Sequence, residues 1–174
     1  EIILPDFFAV DGMEQQLTGF DACYFCLGVS SVGMNEADYT RQTHTLTMGF
    51  AKALHAASPN ATFIYISGAG TDSTEKGRLM WARVKGKTEN DLRQIGFRQT
   101  FAFRPGIIIP IKGLTRTLKA YTYMGWLIPL FKLIMPNGIC TLQAIGDAMI
   151  NSSLQGYHKP VLEVKDIKQL AGHA

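Results

Sequence analysis

The stretch 62–106, TFIYISGAGTDSTEKGRLMWARVKGKTENDLRQIGFRQTFAFRPG, narrows the choice of fold more than any other part of the chain. The apolar run Ala61–Ile66 leads into a small-residue loop, Ser67-Gly68-Ala69-Gly70. A helical pattern over 75–95 follows and is ended by Gly96. A second strand, Gln99–Phe103, then ends at Arg104-Pro105-Gly106. An apolar run without alternation is usually covered on both faces, as in a parallel sheet. Parallel neighbours cannot be joined by a tight turn and need a crossover such as this helix. Ligands of such sheets bind at the carboxyl ends of the strands, where Gly28, Ser67 and Pro105 fall.

The same grammar runs upstream. Ala22–Leu27 is a continuous apolar strand that stops at Gly28. Residues 35–57 form a helix that Asn35 can cap, with Leu46, Phe50 and Leu54 four apart on one face, and Ser58-Pro59-Asn60 breaks it. Residues 13–18 give one or two helical turns, and Glu1–Leu4 is the end of a strand stopped by Pro5. The order strand, helix, strand, helix, strand predicts an α/β layered domain spanning 1–174.

After Gly106 the pattern changes. Ile107–Ile111 is apolar and interrupted by Pro110, and 114–135 is rich in aromatic residues and Met. Its most apolar part, Tyr121–Met135, is shorter than the roughly 20 residues that a spanning helix needs, and Pro129 and Lys132 interrupt it. The reading is therefore no transmembrane segment, with 107–140 a helical, substrate-covering stretch. Beyond it, Thr141 caps a helix to Leu154 whose inward face is Ile145, Ala148 and Met149, and Gly156 ends that helix. Val161–Val164 is a last short strand, and Asp166–Leu170 a last helical turn or two.

Composition excludes some functions. A net charge of +3, with Lys and Arg dispersed, is too mild for a nucleic-acid footprint. Cys23 and Cys26 have CxxC spacing, but on a strand they point to opposite faces, and the sequence reading is of buried apolar thiols. Three free thiols fit a reducing compartment, and the expectation is a cytoplasmic protein. His44, His55, His158 and His173 lack ligand spacing, so no metal site is expected.

Taken in order, these pieces resemble the later part of an atypical or extended short-chain dehydrogenase/reductase, of the NAD(P)-binding, nucleotide-sugar-epimerase-like kind. Gly19-Phe20-Asp21-Ala22 followed by Leu27-Gly28 is similar to the family's strand four and its terminal glycine. Tyr39 and Thr43 lie on the helix after it. Ile64-Tyr65-Ile66-Ser67-Gly68 resembles strand five with its catalytic-position serine, and Lys85 resembles the lysine of YxxxK. Glu89 sits where many extended members carry Glu, Arg104-Pro105-Gly106 resembles the RPG after strand six, and Thr141–Met149 resembles the late helix. The resemblance implies a Rossmann-like, doubly wound parallel sheet. It also implies NAD or NADP as cofactor, held by Leu27, Gly28, Ser67, Lys85, Pro105 and Gly106, with an unknown small-molecule substrate. Pairing of the helices 35–57 and 75–95 in a homodimer is a further implication.

Two departures shape the expected function. The tyrosine position of YxxxK reads Trp81, and an indole N–H only donates and does not ionise in this range. Trp81 cannot be the proton-transfer group, although it shares a helix face with Lys85, one turn away. Ser67 and Lys85 remain as the catalytic-position residues. The second departure is the missing glycine fingerprint of the N-terminal βαβ unit. The chain reads as incomplete at its N-terminus, with the strand at 22–27 left as a bare apolar edge. Three readings stay open: an oxidoreductase or epimerase-like protein with altered or lost catalysis; a dinucleotide-binding sensor or scaffold that binds a protein partner; and a membrane-surface enzyme acting on an apolar substrate.

Overall fold

The structure, a computed structural model, describes residues 3–4, 6–10, 12–109, 111 and 138–172. The elements are β1 (Ala22–Phe25), α1 (Glu36–Thr40), a π-helical turn (Arg41–Thr45) and α2 (Leu46–Ala57), then β2 (Thr62–Ile66), α3 (Met80–Arg93) and β3 (Gln99–Arg104). They continue with β4 (Ile107–Ile109), β5 (Ile139–Thr141), α4 (Leu142–Gln155), β6 (Val161–Glu163) and α5 (Val164–Leu170). Four strands form one parallel sheet in the order β1-β2-β3-β6. The expected α/β fold with a parallel, Rossmann-like sheet is what the chain adopts.

The central strand sorts the core into two layers. Because side chains alternate along a strand, Phe63 and Tyr65 of β2 face a cluster with Phe25, Ala51, Leu54 and Leu92. Ile64 faces the opposite cluster, with Phe101, Phe103, Ala148, Met149 and Ile167. Helices α2 and α3 therefore cover one face of the sheet, and α4 and α5 the other. Leu54 is buried and Leu46 and Phe50 pack against the first cluster, as their spacing requires. Ile145, Ala148 and Met149 are the buried face of α4, and the Thr141 hydroxyl accepts from the Ala144 N–H at 3.0 Å as its cap.

Several expectations need correction. Strand β1 is not covered on both faces: it is the sheet edge among the described residues, and of its four residues only Phe25 is buried. Tyr24, Cys26 and Leu27 are exposed there, so the apolar run lies along a sheet edge among the described residues. Cys26 is thus not a buried thiol, whereas Cys140 is buried and Cys23 half-buried. Helix 35–57 carries the π-helical turn at Arg41–Thr45, an insertion that spacing alone does not reveal.

Helix 75–95 begins only at Met80. The Asp72 carboxylate captures the N–H groups of Thr74, Lys76 and Gly77, which holds 72–77 as a loop. Glu75 in that loop has φ 62°, outside the helical region. Residues 3–4 form no strand. The ends of the stretch expected to be helical, 107–109 and 139–141, pair as a two-stranded parallel ribbon, β4 with β5. The aromatic segment 114–135 lies outside the described residues. Among the described residues, no helix is long and apolar enough to cross a membrane.

Candidate functional site

Parallel pairing brings the carboxyl ends of the first three strands level. Phe25 pairs with Tyr65, and Ile66 with Phe103, so Leu27-Gly28, Ser67-Gly68 and Arg104-Pro105 leave the sheet side by side. The β2–β3 pairing continues past the strands: Ser67 N–H donates to Phe103 O at 2.9 Å, and Ala69 N–H to Pro105 O at 2.8 Å. Helix α3 then crosses so that Lys85 reaches back over this end, where its Nζ donates to the main-chain oxygen of Ser67 at 2.5 Å. The structure thus brings Ser67, Lys85 and Pro105 together, with Leu27-Gly28 at the open side.

The serine differs from the expectation. Its side chain is buried and its Oγ donates to Phe103 O at 3.1 Å, so the hydroxyl is committed to the backbone. What Ser67 offers Lys85 is a carbonyl. Burial pushes the Lys85 ammonium below the usual lysine range, and the Glu89 carboxylate one turn along opposes that shift.

Trp81 occupies the same helix face one turn before Lys85, half-buried, with its six-membered ring over Gly70. A Cβ on Gly70 would stand 3.5 Å from the ring, and the residue's φ of +87° favours glycine as well. The two nearby phenols do not replace the missing tyrosine. Tyr39 and Tyr65 are buried at 1% exposure, and burial raises both pKa values, which keeps them neutral and away from solvent.

The two strand-end glycines separate. At Gly28 an added Cβ would meet nothing within 4 Å, so the space beside it is open. At Gly106 an added Cβ would lie 2.1 Å from Gly138 O, and Ile107 N–H donates to that same oxygen at 2.9 Å. Gly106 is therefore required by the chain's own β4–β5 ribbon, a reason other than close approach to a dinucleotide.

One feature of this end was not legible beforehand. Glu89, with 0% of its side chain exposed, accepts a two-pronged contact from Arg104: Nε to Oε1 at 3.0 Å and Nη2 to Oε2 at 2.6 Å. Arg104 also donates to Ser73 Oγ at 2.5 Å and to Glu163 Oε1 at 3.2 Å. The spacing Lys85-x-x-x-Glu89 was the visible signal, but the partner from β3 was not. A groove of about 560 Å³ opens elsewhere, along α2 and the end of α3, lined by His44, Lys52, His55 and Asp91 among others. It lies toward the amino ends of the strands, and Asp91 is already bonded to His44 at 2.7 Å and Lys87 at 2.9 Å.

The fold and this strand-end cluster define a parallel-sheet α/β protein with a Rossmann-like arrangement. No family model matches the sequence. The chain is similar to "Protein fmp52, mitochondrial" of Emericella nidulans, at 26% identity over 134 residues, which are 76% of this chain and 56% of that protein. It thus spans about half the length of that curated relative. Among solved structures, the crystal structure of gox2253 superposes with a TM-score of 0.56 at 12% identity, covering 97% of this chain and 61% of that one. At that identity the likeness shows the fold alone.

Proposed function

We propose that the chain forms the nicotinamide-ribose side of an NAD- or NADP-binding site of the short-chain dehydrogenase/reductase kind, with altered or lost catalysis. The observation that carries this reading is Lys85. Its ammonium is held at the carboxyl end of the central parallel strands by one bond to Ser67 O. Two of its three N–H donors are left to meet adjacent hydroxyls such as those of a ribose. The open space beside Gly28 and the indole of Trp81 supply an accessible wall and an apolar one. These residues suit the nicotinamide-ribose half of a dinucleotide. No glycine-rich turn of the fingerprint type in this sequence suits the pyrophosphate half.

A bound nicotinamide would supply hydride chemistry. The described residues at this end would orient the ribose and exclude water, and none of their hydroxyl or indole groups is placed to move a proton. Trp81 cannot ionise, the Ser67 hydroxyl is spent on Phe103, and Tyr39 and Tyr65 are buried. That favours a dinucleotide holder over an active reductase.

Calorimetric titration with NADH and NADPH to millimolar concentration tests the binding, and the absence of heat from both rejects it. Trp81→Tyr tests the catalytic part. Cofactor oxidation gained with small carbonyl compounds would mean a preserved site that lacks only its phenol, and binding without turnover in both forms would mean a holder.

A further inference from the structure

We infer that the groove between α2 and the end of α3 is a second ligand site, for a small molecule that carries an oxyanion on an apolar body. It lies toward the amino ends of the strands, away from Lys85, and the inference stands independently of the cofactor reading.

Helix spacing builds the groove. His44, Met48, Lys52 and His55 follow one another at helical intervals, so they form one stripe along α2 and the π-helical turn before it. At 1.5 Å per residue the stripe is roughly 16 Å long. Facing it are Asp91 from the last turn of α3 and Gln94 and Ile95 just beyond. The volume of about 560 Å³ falls within the range of small-molecule pockets, roughly 300–1,000 Å³.

The floor is apolar and anchored, because Met48 and Ile95 pack against the first core cluster. His55 is held in another way. Its ring stands edge-on to buried Phe97, with centroids 5.1 Å apart and planes at 86°. Its Nε2 lies 3.6 Å from where a Cβ on Gly96 would stand. The imidazole therefore spans from α2 to the chain that leaves α3, with its orientation set by the protein.

Charge decides the class of ligand. Asp91 is the acidic residue of the lining, and its Oδ2 already accepts from His44 Nε2 at 2.7 Å and from Lys87 Nζ at 2.9 Å. A compensated carboxylate makes no demand for a cationic ligand. Lys52 Nζ, the His55 ring nitrogens and the Gln94 amide have no hydrogen-bond partner among the described residues. The carboxyl ends of α2 and α3 each bring about half a negative charge. Arg93 in the last turn of α3 offsets one, and the full charge of Lys52 exceeds the other. What remains is an ammonium, an imidazole and an amide, with donors to spare, above an apolar floor. A carboxylate or a phosphate is the group that such donors pair with.

The test titrates the protein with hexanoate and hexyl phosphate, and with inorganic phosphate and hexylammonium as comparisons, followed by ¹H–¹⁵N NMR and calorimetry. At least one hexyl oxyanion should bind saturably at submillimolar concentration and shift the Gln94 side-chain amide, and the one that binds identifies the headgroup. Lys52→Met should weaken that binding at least about tenfold, the worth of one charged hydrogen bond. Lys165→Met removes the same charge from an exposed position of α5, on the opposite face of the sheet, and should leave the affinity unchanged.

That set of results supports the inference. No saturable shift at Gln94 from either hexyl oxyanion overturns it, and is what a lysine that merely balances the helix dipole predicts. Inorganic phosphate bound as tightly as the hexyl compounds would remove the apolar body, and hexylammonium bound as tightly would remove the oxyanion. Equal losses in Lys52→Met and Lys165→Met would leave only bulk charge, which also overturns the site. Sedimentation covers the other occupant: a dimer that binds neither hexyl oxyanion would assign the groove to a second copy and overturn the inference.

Discussion

Gly86→Ala is the sharpest test of how the strand-end region is built. Gly86 is buried on α3, between Lys85 and Lys87, and the turn at Asp72 packs directly on its Cα. A Cβ built there would lie 1.8 Å from Asp72 O, 2.5 Å from Asp72 C and 3.1 Å from Ser73 N. Normal carbon contacts lie near 3.5 Å, so the Asp72 peptide must retreat by about 1.7 Å. It has little freedom to do so. Asp72 N–H donates to Ala82 O at 3.1 Å, and its carboxylate accepts from Thr74, Lys76 and Gly77 N–H at 3.0, 3.0 and 2.6 Å.

Overpacking of this kind costs about 1–3 kcal/mol, and loss of the Asp72–Ala82 bond about 1 kcal/mol more. Alanine in place of glycine in a helix returns about 1 kcal/mol. The net is a destabilisation of about 1–3 kcal/mol, read by urea unfolding, or a Tm lower by about 2–4 °C for each kcal/mol in a domain of this size. Gly49→Ala is the internal control. It sits exposed on α2 with nothing within 4 Å of its added Cβ, and should gain about 0.5–1 kcal/mol. If Gly86→Ala proves as stable as the native protein, or gains as Gly49→Ala does, the packing of the 68–79 loop on α3 is wrong.

Other expectations follow from charge and burial. Burial opposes ionisation of Asp166, but bonds from Lys159 at 2.6 Å, Glu163 N–H at 3.2 Å and Tyr157 at 3.1 Å outweigh it and hold the carboxyl below its ordinary range. A carboxyl with a lower pKa folded than unfolded stabilises the protein above the unfolded value, near 3.8, and that contribution is lost as pH falls through the folded value. Asp166→Ala should therefore cost about 1 kcal/mol at pH 7, through loss of the capping box of α5, and should flatten the acid limb of a stability–pH curve. Burial pushes the Cys23 thiol up to about 12, so alkylation by iodoacetamide at pH 8 should be far slower there than for a free cysteine. Mass mapping checks this, and rapid labelling of Cys23 would contradict its placement. For Lys85→Met, NADPH affinity should fall at least about tenfold, the worth of one charged hydrogen bond, while the far-ultraviolet circular dichroism stays unchanged.

The fold was largely legible because its signals are local and repeated. Apolar runs at 22–27, 61–66 and 99–103, each separated from the next by a helical span, leave few arrangements other than a parallel sheet. Thr141 and Gly156 marked both ends of α4 by their capping chemistry. What escaped depends on contacts distant in sequence. The start of α3 moved from 75 to Met80 because Asp72 claims the N–H groups of the loop before it. The ribbon of Ile107–Ile109 with Ile139–Thr141 joins residues about thirty apart, which no short window can pair.

Within the site, Lys85 and Ser67 fell where the YxxxK-like spacing and the strand end put them. The role of Ser67 was not legible, because its hydroxyl goes to Phe103 on the neighbouring strand. The role of Gly106 was hidden for the same kind of reason, since Gly138 fills its space. Glu89 was visible as a spacing, yet its burial and its clasp by Arg104 needed the sheet in place.

The central claim is that Lys85 and Trp81 face one dinucleotide site. The chain has two tryptophans, Trp81 and Trp126, so Trp126→Phe leaves Trp81 as the sole indole reporter. Fluorescence of that protein, titrated with NADPH, should show saturable quenching that weakens at least about tenfold when Lys85→Met is added. Unchanged Trp81 emission up to millimolar NADPH, or quenching that is the same with and without Lys85, would contradict the account.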